Sequence, residues 1–173
     1  MVKIVVDSSL FIEEIRHGSE KYQGLVKLHK KGDVLLLVPM VVITELWSGE
    51  SMDKKKEVEI VELMLSITEK VVLNEKIAKL TGELNRKYKT GVVDAMVAAT
   101  ALENDAIVAT LNIKHFVGIK GLKLYNTNNL VDFIKMTPKV KGLTLENYDK
   151  RYREAMMKKH GKYLSKTKKN AKV

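Results

Sequence analysis

The amino-acid sequence predicts an α/β fold in which a parallel β-sheet is flanked by helices. Three observations lead to this prediction. Short apolar runs alternate with longer segments of helical periodicity, which is the pattern of repeated βαβ units. The first four runs are aliphatic throughout, as expected for strands that are buried on both faces. A chain of 173 residues with 45% hydrophobic content has the size and composition of one globular domain.

Five apolar runs are the candidate strands. In chain order they are KIVV (3–6), VLLLV (34–38), KVVL (70–73), AIVA (106–109) and LKLY (122–125). Each is four or five residues long, and stretches with helical periodicity separate the first four from one another. This spacing favours parallel strands joined by helices over hairpins with tight turns.

The intervals between the strands predict the helices. They are expected at 9–31 with a break near Gly18, and at 40–48, 53–67, 75–89, 94–104 and 128–135. Pro39 and Gly49 bracket the second helical region. Asn74 and Asp94 are candidate N-caps, because a short polar side chain can accept the unpaired N–H groups of a first helical turn.

The basic residues are concentrated near the carboxyl terminus. The net charge is +10, yet residues 1–137 hold 19 Lys and Arg against 18 Asp and Glu, whereas residues 138–173 hold 12 against 3. Such a segment indicates either a binding surface for a polyanion, nucleic acid first, or a solubilising tail. Residues 144–160 have the pattern of a basic amphipathic helix. We therefore expect a globular domain at 1–137 and a basic C-terminal extension at 138–173.

Several classes of protein and site are excluded by composition. The chain has no cysteine, so it has no disulfide, thiolate metal ligand or cysteine nucleophile. No apolar stretch approaches the roughly 20 residues needed to cross a bilayer. No secretory signal precedes the first apolar run, and we expect a cytoplasmic protein without membrane contact. The four histidines are scattered and HExxH is absent, which argues against a zinc site.

Four polar residues lie beside apolar segments and are candidates for a site. They are Asp7 at the end of the first strand, Glu45 in VVITELWSG, Asp94 at the start of DAMVAATALEN and Asn112 after the fourth strand. Asp7 and Asp94 could serve only as N-caps, and Asn112 could shape a turn. Glu45 is harder to explain in this way, because its aliphatic neighbours make a buried carboxylate costly unless it has a partner.

Taken together, these acids predict a divalent metal site. In open α/β sheets, ligands bind beyond the carboxyl ends of the strands, where Asp7 is expected. Mg²⁺ and Mn²⁺ prefer hard oxygen ligands, and Mg²⁺ commonly takes one or two carboxylates together with water and substrate phosphate. Like charges brought together without a cation would cost stability, so the acids are better explained as ligands than as scaffold.

At this point the sequence resembles a known family. The ordered set VVDSSLFI, TELWSG, DAMVAATAL and ATLNIKHF is similar to PIN-domain metal-dependent ribonucleases, above all the toxin-type (VapC-like) members. The resemblance covers roughly residues 1–135. It implies a three-layer sandwich with a central parallel sheet of about five strands in the order 3-2-1-4-5, flanked by helices. Strands one and four are then neighbours where the order reverses, which is the crevice expected for a ligand.

The resemblance also implies roles for individual side chains. The catalytic candidates that it implies are Asp7, Ser9, Glu45, Asp94, Thr110 and Asn112, and the metal ligands among them are Asp7, Glu45, Asp94 and Asn112. At Asn112 many family members carry Asp. An amide can coordinate through its carbonyl oxygen, but it supplies no charge and no general base. Asp105 is the nearest spare acid, but it precedes the fourth strand, on the wrong side for the site.

The implied function is that of a metal-dependent endoribonuclease. With Mg²⁺ or Mn²⁺, such an enzyme would hydrolyse phosphodiester bonds of single-stranded RNA as the toxin of a toxin–antitoxin pair. Toxin-type members usually form homodimers and are blocked by a small antitoxin, so RNA, an antitoxin and further copies of the chain are the expected partners. The apolar helices at 10–28 and 41–48 are the expected contact surfaces, unless those faces belong to the core.

Two other interpretations remain open. In the first, the change at Asn112 leaves the metal site weak or inactive, and the protein binds RNA or ribosomes through its basic segment. The second is a phosphatase-like or nucleotide-binding α/β domain, which ranks last because DSSLFIEE has no glycine to cradle a phosphate. His115 could contact RNA or simply belong to a turn in which Phe116 packs inward.

Overall fold

The computed structural model describes residues 1–125. Its strands are β1 (Val2–Val6), β2 (Val34–Pro39), β3 (Glu69–Val71), β4 (Ile107–Ala109) and β5 (Lys123–Leu124). Its α-helices are α1 (Ser8–His17), α2 (Glu20–Lys30), α3 (Met40–Trp47), α4 (Lys55–Leu65), α5 (Glu75–Tyr88) and α6 (Val92–Glu103), with 3₁₀ turns at Glu50–Asp53 and Ile113–His115. The predicted helices at 128–135 and 144–160 and the basic segment lie outside the described residues.

The five described strands form one parallel sheet in the order β3-β2-β1-β4-β5. β1 is central, and its residue Ile4 lies opposite Leu36 on one side and Ile107 on the other. The predicted class and strand order are therefore confirmed. The order reverses between β1 and β4, so the carboxyl ends of these two strands border the crevice in which ligands bind in such sheets.

The helices cover both faces of the sheet. Connections between parallel strands of one sheet are right-handed. The connections from β1 to β2 and from β2 to β3 therefore lie on one face of the sheet, and the connection from β3 to β4 lies on the other. Accordingly α1 contacts α2 and α4, while α5 packs along α6. α3 contacts both α1 and α6. This position of α3 brings its side chains toward the ends of β1 and the start of α6.

The core is built from the strands and the inner faces of the helices. Ile4, Val5 and Val6 of β1 are fully buried, as the aliphatic run predicts. Phe11 of α1 and Tyr22 of α2 pack ring against ring, with centroids 5.5 Å apart. The apolar face expected at 10–28 as a contact surface is therefore largely core. On α3, in contrast, Met40 and Trp47 remain 42% and 41% exposed.

Two predicted boundaries are wrong, each for a physical reason. β3 was expected at 70–73, but it ends at Val71, and the next two residues, Val72 and Leu73, are 65% and 51% exposed. Among the described strands β3 pairs with β2 alone, so it lies at an edge of the described sheet, and its residues are largely exposed. α6 begins at Val92, after Gly91 in a conformation with φ of 96° that favours glycine, so Asp94 lies in the first turn and is not the N-cap.

Other expected signals are confirmed. Gly18 separates α1 from α2 with φ of 72°, a left-handed conformation that suits glycine at a helix end. The Asn74 side chain caps α5 by accepting the N–H of Ile77 at 2.9 Å. Within residues 1–125, no helix combines the length and the apolar character that crossing a bilayer requires.

Candidate active site

Asp7 lies at the carboxyl end of the central strand. Its backbone N–H donates to the carbonyl oxygen of Ala109 at 3.0 Å, which ties it to the end of β4. It occupies the N-cap position of α1, but its side chain makes no capping hydrogen bond. The side chain is nevertheless buried, with 3% of the residue exposed. The simple N-cap explanation therefore does not account for its carboxylate.

The Asp7 carboxylate is held by two hydroxyl groups. Ser9 Oγ and Thr110 Oγ1 both donate to Oδ2, at 2.5 and 2.8 Å. Each hydroxyl oxygen in turn accepts a backbone N–H, from Leu111 at 3.0 Å and from Asn112 at 2.9 Å. Because those N–H groups occupy the acceptor side, the hydroxyl hydrogens are free to point at the carboxylate. The orientation of Asp7 is fixed through one oxygen.

Glu45 reaches the same region from α3. Burial raises the pKa of its carboxyl group, the hydrogen bond from Ser8 opposes this, and the negative charges of Asp7 and Asp94 raise it further. Three carboxylates are thus close enough to repel one another. Oε2 of Glu45 is buried and has no hydrogen-bond partner within the described part of the chain. Such an atom needs an explanation, because native proteins leave few buried polar groups unsatisfied.

Asp94 lies in the first turn of α6 and is tied to His115. Asp94 Oδ2 and His115 Nδ1 are 2.8 Å apart, and the two side chains are 22% and 38% exposed. Phe116, the next residue, is 1% exposed, so the prediction that it packs inward is confirmed. The contact with Asp94 was not predicted. The two residues are 21 positions apart, and no local pattern connects them.

Asn112 and Asp105 differ in their relation to these acids. Asn112 is exposed at the N-cap of the second 3₁₀ turn, and its backbone N–H, through Thr110, belongs to the hydrogen bonds around Asp7. Asp105 precedes β4 and pairs with Lys123 at 3.1 Å, at the amino end of the sheet. The structure therefore agrees with leaving Asp105 out of the site.

The chemistry of these side chains fits a divalent cation. Among residues 1–125, the hydrogen bonds to Asp7 and Asp94 reach Oδ2 alone, and Glu45 has a buried oxygen with no partner. Each of the three acids therefore has a carboxylate oxygen available as a metal ligand. Mg²⁺ and Mn²⁺ prefer such hard oxygen ligands. No three His, Asp or Glu side chains in that range already surround one point as ligands would. A cation bound among these acids would relieve their mutual repulsion.

A groove of about 560 Å³ opens beside Glu45 between α1 and α3. Its apolar wall includes Ile12, Ile15 and Leu46, and Arg16 adds a positive charge. Glu45 is therefore accessible from a concave surface large enough for part of another molecule.

Comparison with known proteins agrees with the fold. The PIN domain family matches residues 4–119, which include most of β1 and all of the candidate site residues. The chain belongs to the PIN domain family. Ribonuclease VapC10 of Mycobacterium tuberculosis is 32% identical over 125 residues, which cover 69% of this chain and 90% of that protein. Ribonuclease VapC19 of the same organism is 27% identical over 117 residues, covering 65% and 90%.

Solved structures show the same PIN fold. VapBC2 of Rickettsia felis, determined with a promoter DNA fragment, superposes with a TM-score of 0.63 at 24% identity, covering 72% of this chain and 98% of that one. DNA-bound VapBC of Salmonella typhimurium gives a TM-score of 0.64 at 22% identity, covering 73% and 99%. At these sequence identities the structural similarity establishes only the fold of this PIN domain.

Proposed function

We propose that this PIN domain chain is a metal-dependent endoribonuclease that hydrolyses phosphodiester bonds of single-stranded RNA in the cytoplasm, as the toxin of a toxin–antitoxin pair. The observation that supports this most directly is the convergence of Asp7, Glu45 and Asp94. Burial raises the pKa of Glu45, the charges of the two aspartates raise it further, and its Oε2 lacks a partner among the described residues. Its relatives VapC10 and VapC19 are ribonucleases by name.

In this proposal the three carboxylates hold Mg²⁺ or Mn²⁺. Such an ion, when bound, lowers the pKa of a water molecule and stabilises negative charge on a phosphate. Asp7 contributes an oxygen whose direction is set by Ser9 and Thr110, and Glu45 contributes its buried oxygen. Asn112 is exposed at the edge of the site, where its amide carbonyl can act as a neutral oxygen ligand.

The basic segment at 138–173 is proposed to bind the RNA backbone. Lys and Arg side chains give affinity for phosphate without reading the base sequence, and such binding weakens steeply as salt concentration rises. The described residues hold 18 Lys and Arg against 17 Asp and Glu, so their net charge alone provides little attraction. RNA affinity should therefore depend mainly on the segment.

The groove between α1 and α3 is the proposed contact surface for an antitoxin. Its apolar wall at Ile12, Ile15 and Leu46 suits an apolar segment of a partner, and Glu45 lies on the same wall. An occupant would cover the metal site as well. Met40 and Trp47, the exposed apolar residues of α3, are a further candidate surface for a second copy of the chain.

The test is cleavage of mixed single-stranded RNA by the full chain with Mg²⁺ or Mn²⁺. Wild type is compared with Asp94→Asn, and Asp105→Asn serves as a matched control because Asp105 lies at the other end of β4. We expect cleavage by wild type and the control, and its loss with EDTA or with Asp94→Asn. Cleavage that survives Asp94→Asn would show that the site is misassigned or that the activity is a contaminant.

The alternative interpretation, a catalytically weak RNA- or ribosome-binding protein, predicts a different result. Wild type would then cut no RNA even with Mn²⁺, yet would bind RNA in a salt-dependent manner. In that case Asn112→Asp is the informative variant, because it restores the carboxylate that many family members carry. Activity gained with this variant would assign the loss to Asn112.

A further inference from the structure

One short loop contacts two of the three acids. The segment 110–116 follows β4, and its Thr110 donates to Asp7 while its His115 contacts Asp94. Asn112 lies between them, exposed to solvent. The loop thus supplies a hydrogen-bond partner to each of these two acids, in both cases at Oδ2.

The direction of the His115 hydrogen bond follows from its partner. An ionised carboxylate can only accept hydrogen bonds, so Nδ1 of His115 must carry a proton to bond Asp94 Oδ2 at 2.8 Å. A neutral imidazole in this tautomer keeps its lone pair on Nε2. The ring therefore acts toward Asp94 as a directional donor.

The backbone at His115 is held in place independently of Asp94. His115 ends a 3₁₀ turn, in which its own N–H donates to the carbonyl oxygen of Asn112 at 3.0 Å. Phe116 is buried in the core and donates its N–H to Ile113, also at 3.0 Å. Core packing fixes the turn. His115 can therefore restrict the orientation of the Asp94 side chain.

We propose that His115 is the positioning residue of Asp94 and thereby sets the affinity of the site for its divalent cation. This inference rests on the metal-dependent function proposed above. His115 fixes Oδ2 of Asp94 by a hydrogen bond and leaves Oδ1 to the cation. Hydrogen-bonded partners of metal-binding carboxylates typically change metal affinity or activity by 10- to 100-fold when they are mutated.

The first test measures Mn²⁺ binding to the full chain by titration calorimetry. His115→Phe keeps a planar ring without a donor and is expected to weaken binding about 10- to 100-fold. His115→Asn places an amide N–H near the position of Nδ1 and should restore most of the affinity. His17→Asn, at an exposed position at the end of α1, is the control and should bind as wild type does.

The outcomes separate this inference from the proposed function. If wild type and His115→Phe bind Mn²⁺ equally, the inference is wrong and the metal-dependent function stands. If His115→Asn is as weak as His115→Phe while both unfold at the wild-type temperature, the donor role is also wrong. If wild type binds no Mn²⁺, both the inference and the metal-dependent function fail.

A second readout requires no metal. Long-range ¹H–¹⁵N spectra distinguish a protonated Nδ1 from an unprotonated one in each histidine ring. We expect His115 to carry its proton on Nδ1 in wild type and to change its nitrogen shifts in Asp94→Asn, with His17 unaffected. A His115 ring without a proton on Nδ1 overturns the proposal, because it cannot donate to Asp94.

Discussion

Glu14 is an acid buried in the contact between α1 and α2, far from the proposed chemistry. It is 0% exposed, and Gln23 Nε2 donates to its Oε1 at 3.2 Å. Burial raises its pKa from 4.5 to about 7, against the smaller opposing effects of the hydrogen bonds from Gln23 and the Ser19 backbone. We predict that Glu14→Gln makes the protein less sensitive to alkaline pH.

The sign and size follow from proton linkage. The folded protein binds the Glu14 proton more tightly than the unfolded chain does, so this stabilisation is complete below pH 4.5 and is lost as pH rises through about 7. Each pKa unit corresponds to about 1.4 kcal/mol, so the loss between pH 5 and pH 8 is about 2–3 kcal/mol. Glutamine has no charge to desolvate, so the variant should gain that amount relative to wild type over the same range.

Urea denaturation at pH 5, 6, 7 and 8 measures this difference directly. The free energy of unfolding of Glu14→Gln minus that of wild type should grow toward alkaline pH, mostly between pH 5 and pH 7. Glu13→Gln, a partly exposed neighbour on the same helix, is the control for the loss of a carboxylate from α1. A constant difference for Glu14→Gln would refute the assignment of a raised pKa to this group.

Two further predictions concern the site. Glu45→Gln removes the repulsion by Asp7 and Asp94, so it should stabilise the metal-free protein at neutral pH by about 0.5 kcal/mol, a small value because the group is partly exposed. Calorimetric titration of this variant should show no Mn²⁺ binding. Unchanged binding would exclude Glu45 as a ligand. Thr110→Val removes one donor to Asp7 at nearly constant shape and should weaken Mn²⁺ binding about 10-fold. Thr110→Ser should bind as wild type does, and Thr100→Val, within α6, is the control.

Much of the fold could be predicted because it depends on local patterns. Buried parallel strands require unbroken aliphatic runs, and VLLLV becomes β2 almost residue for residue. Gly18 and Asn74 mark helix ends through conformational and hydrogen-bonding preferences that need no knowledge of the rest of the chain. β3 shows the limit: Val72 and Leu73 are apolar yet exposed, because the position of a strand at the edge of a sheet depends on its neighbours.

The candidate site, too, could be predicted from the sequence only in part. Its acids could be proposed from the sequence, since parallel topology brings strand ends together and a carboxylate among aliphatic residues is unusual. Most of the hydrogen-bond partners of these acids could not be predicted from the sequence. Thr110 reaches Asp7 across 103 positions, and His115 reaches Asp94 across 21. The family resemblance suggested Thr110, but neither the residues nor the resemblance connected His115 with an acid.

The uncharged side chain of Asn112 also affects the net charge of the candidate site. Burial is the main cause of the raised pKa of Glu45, and the negative charges of Asp7 and Asp94 add to it. A fourth carboxylate at position 112 would add to the repulsion among these three acids in the metal-free protein. The hydrogen bonds to Asp7 and Asp94 fix the direction of two acids without adding negative charge. On the proposed assignment, a divalent cation then leaves one excess negative charge, not two, and an anionic RNA phosphate can approach it against less repulsion.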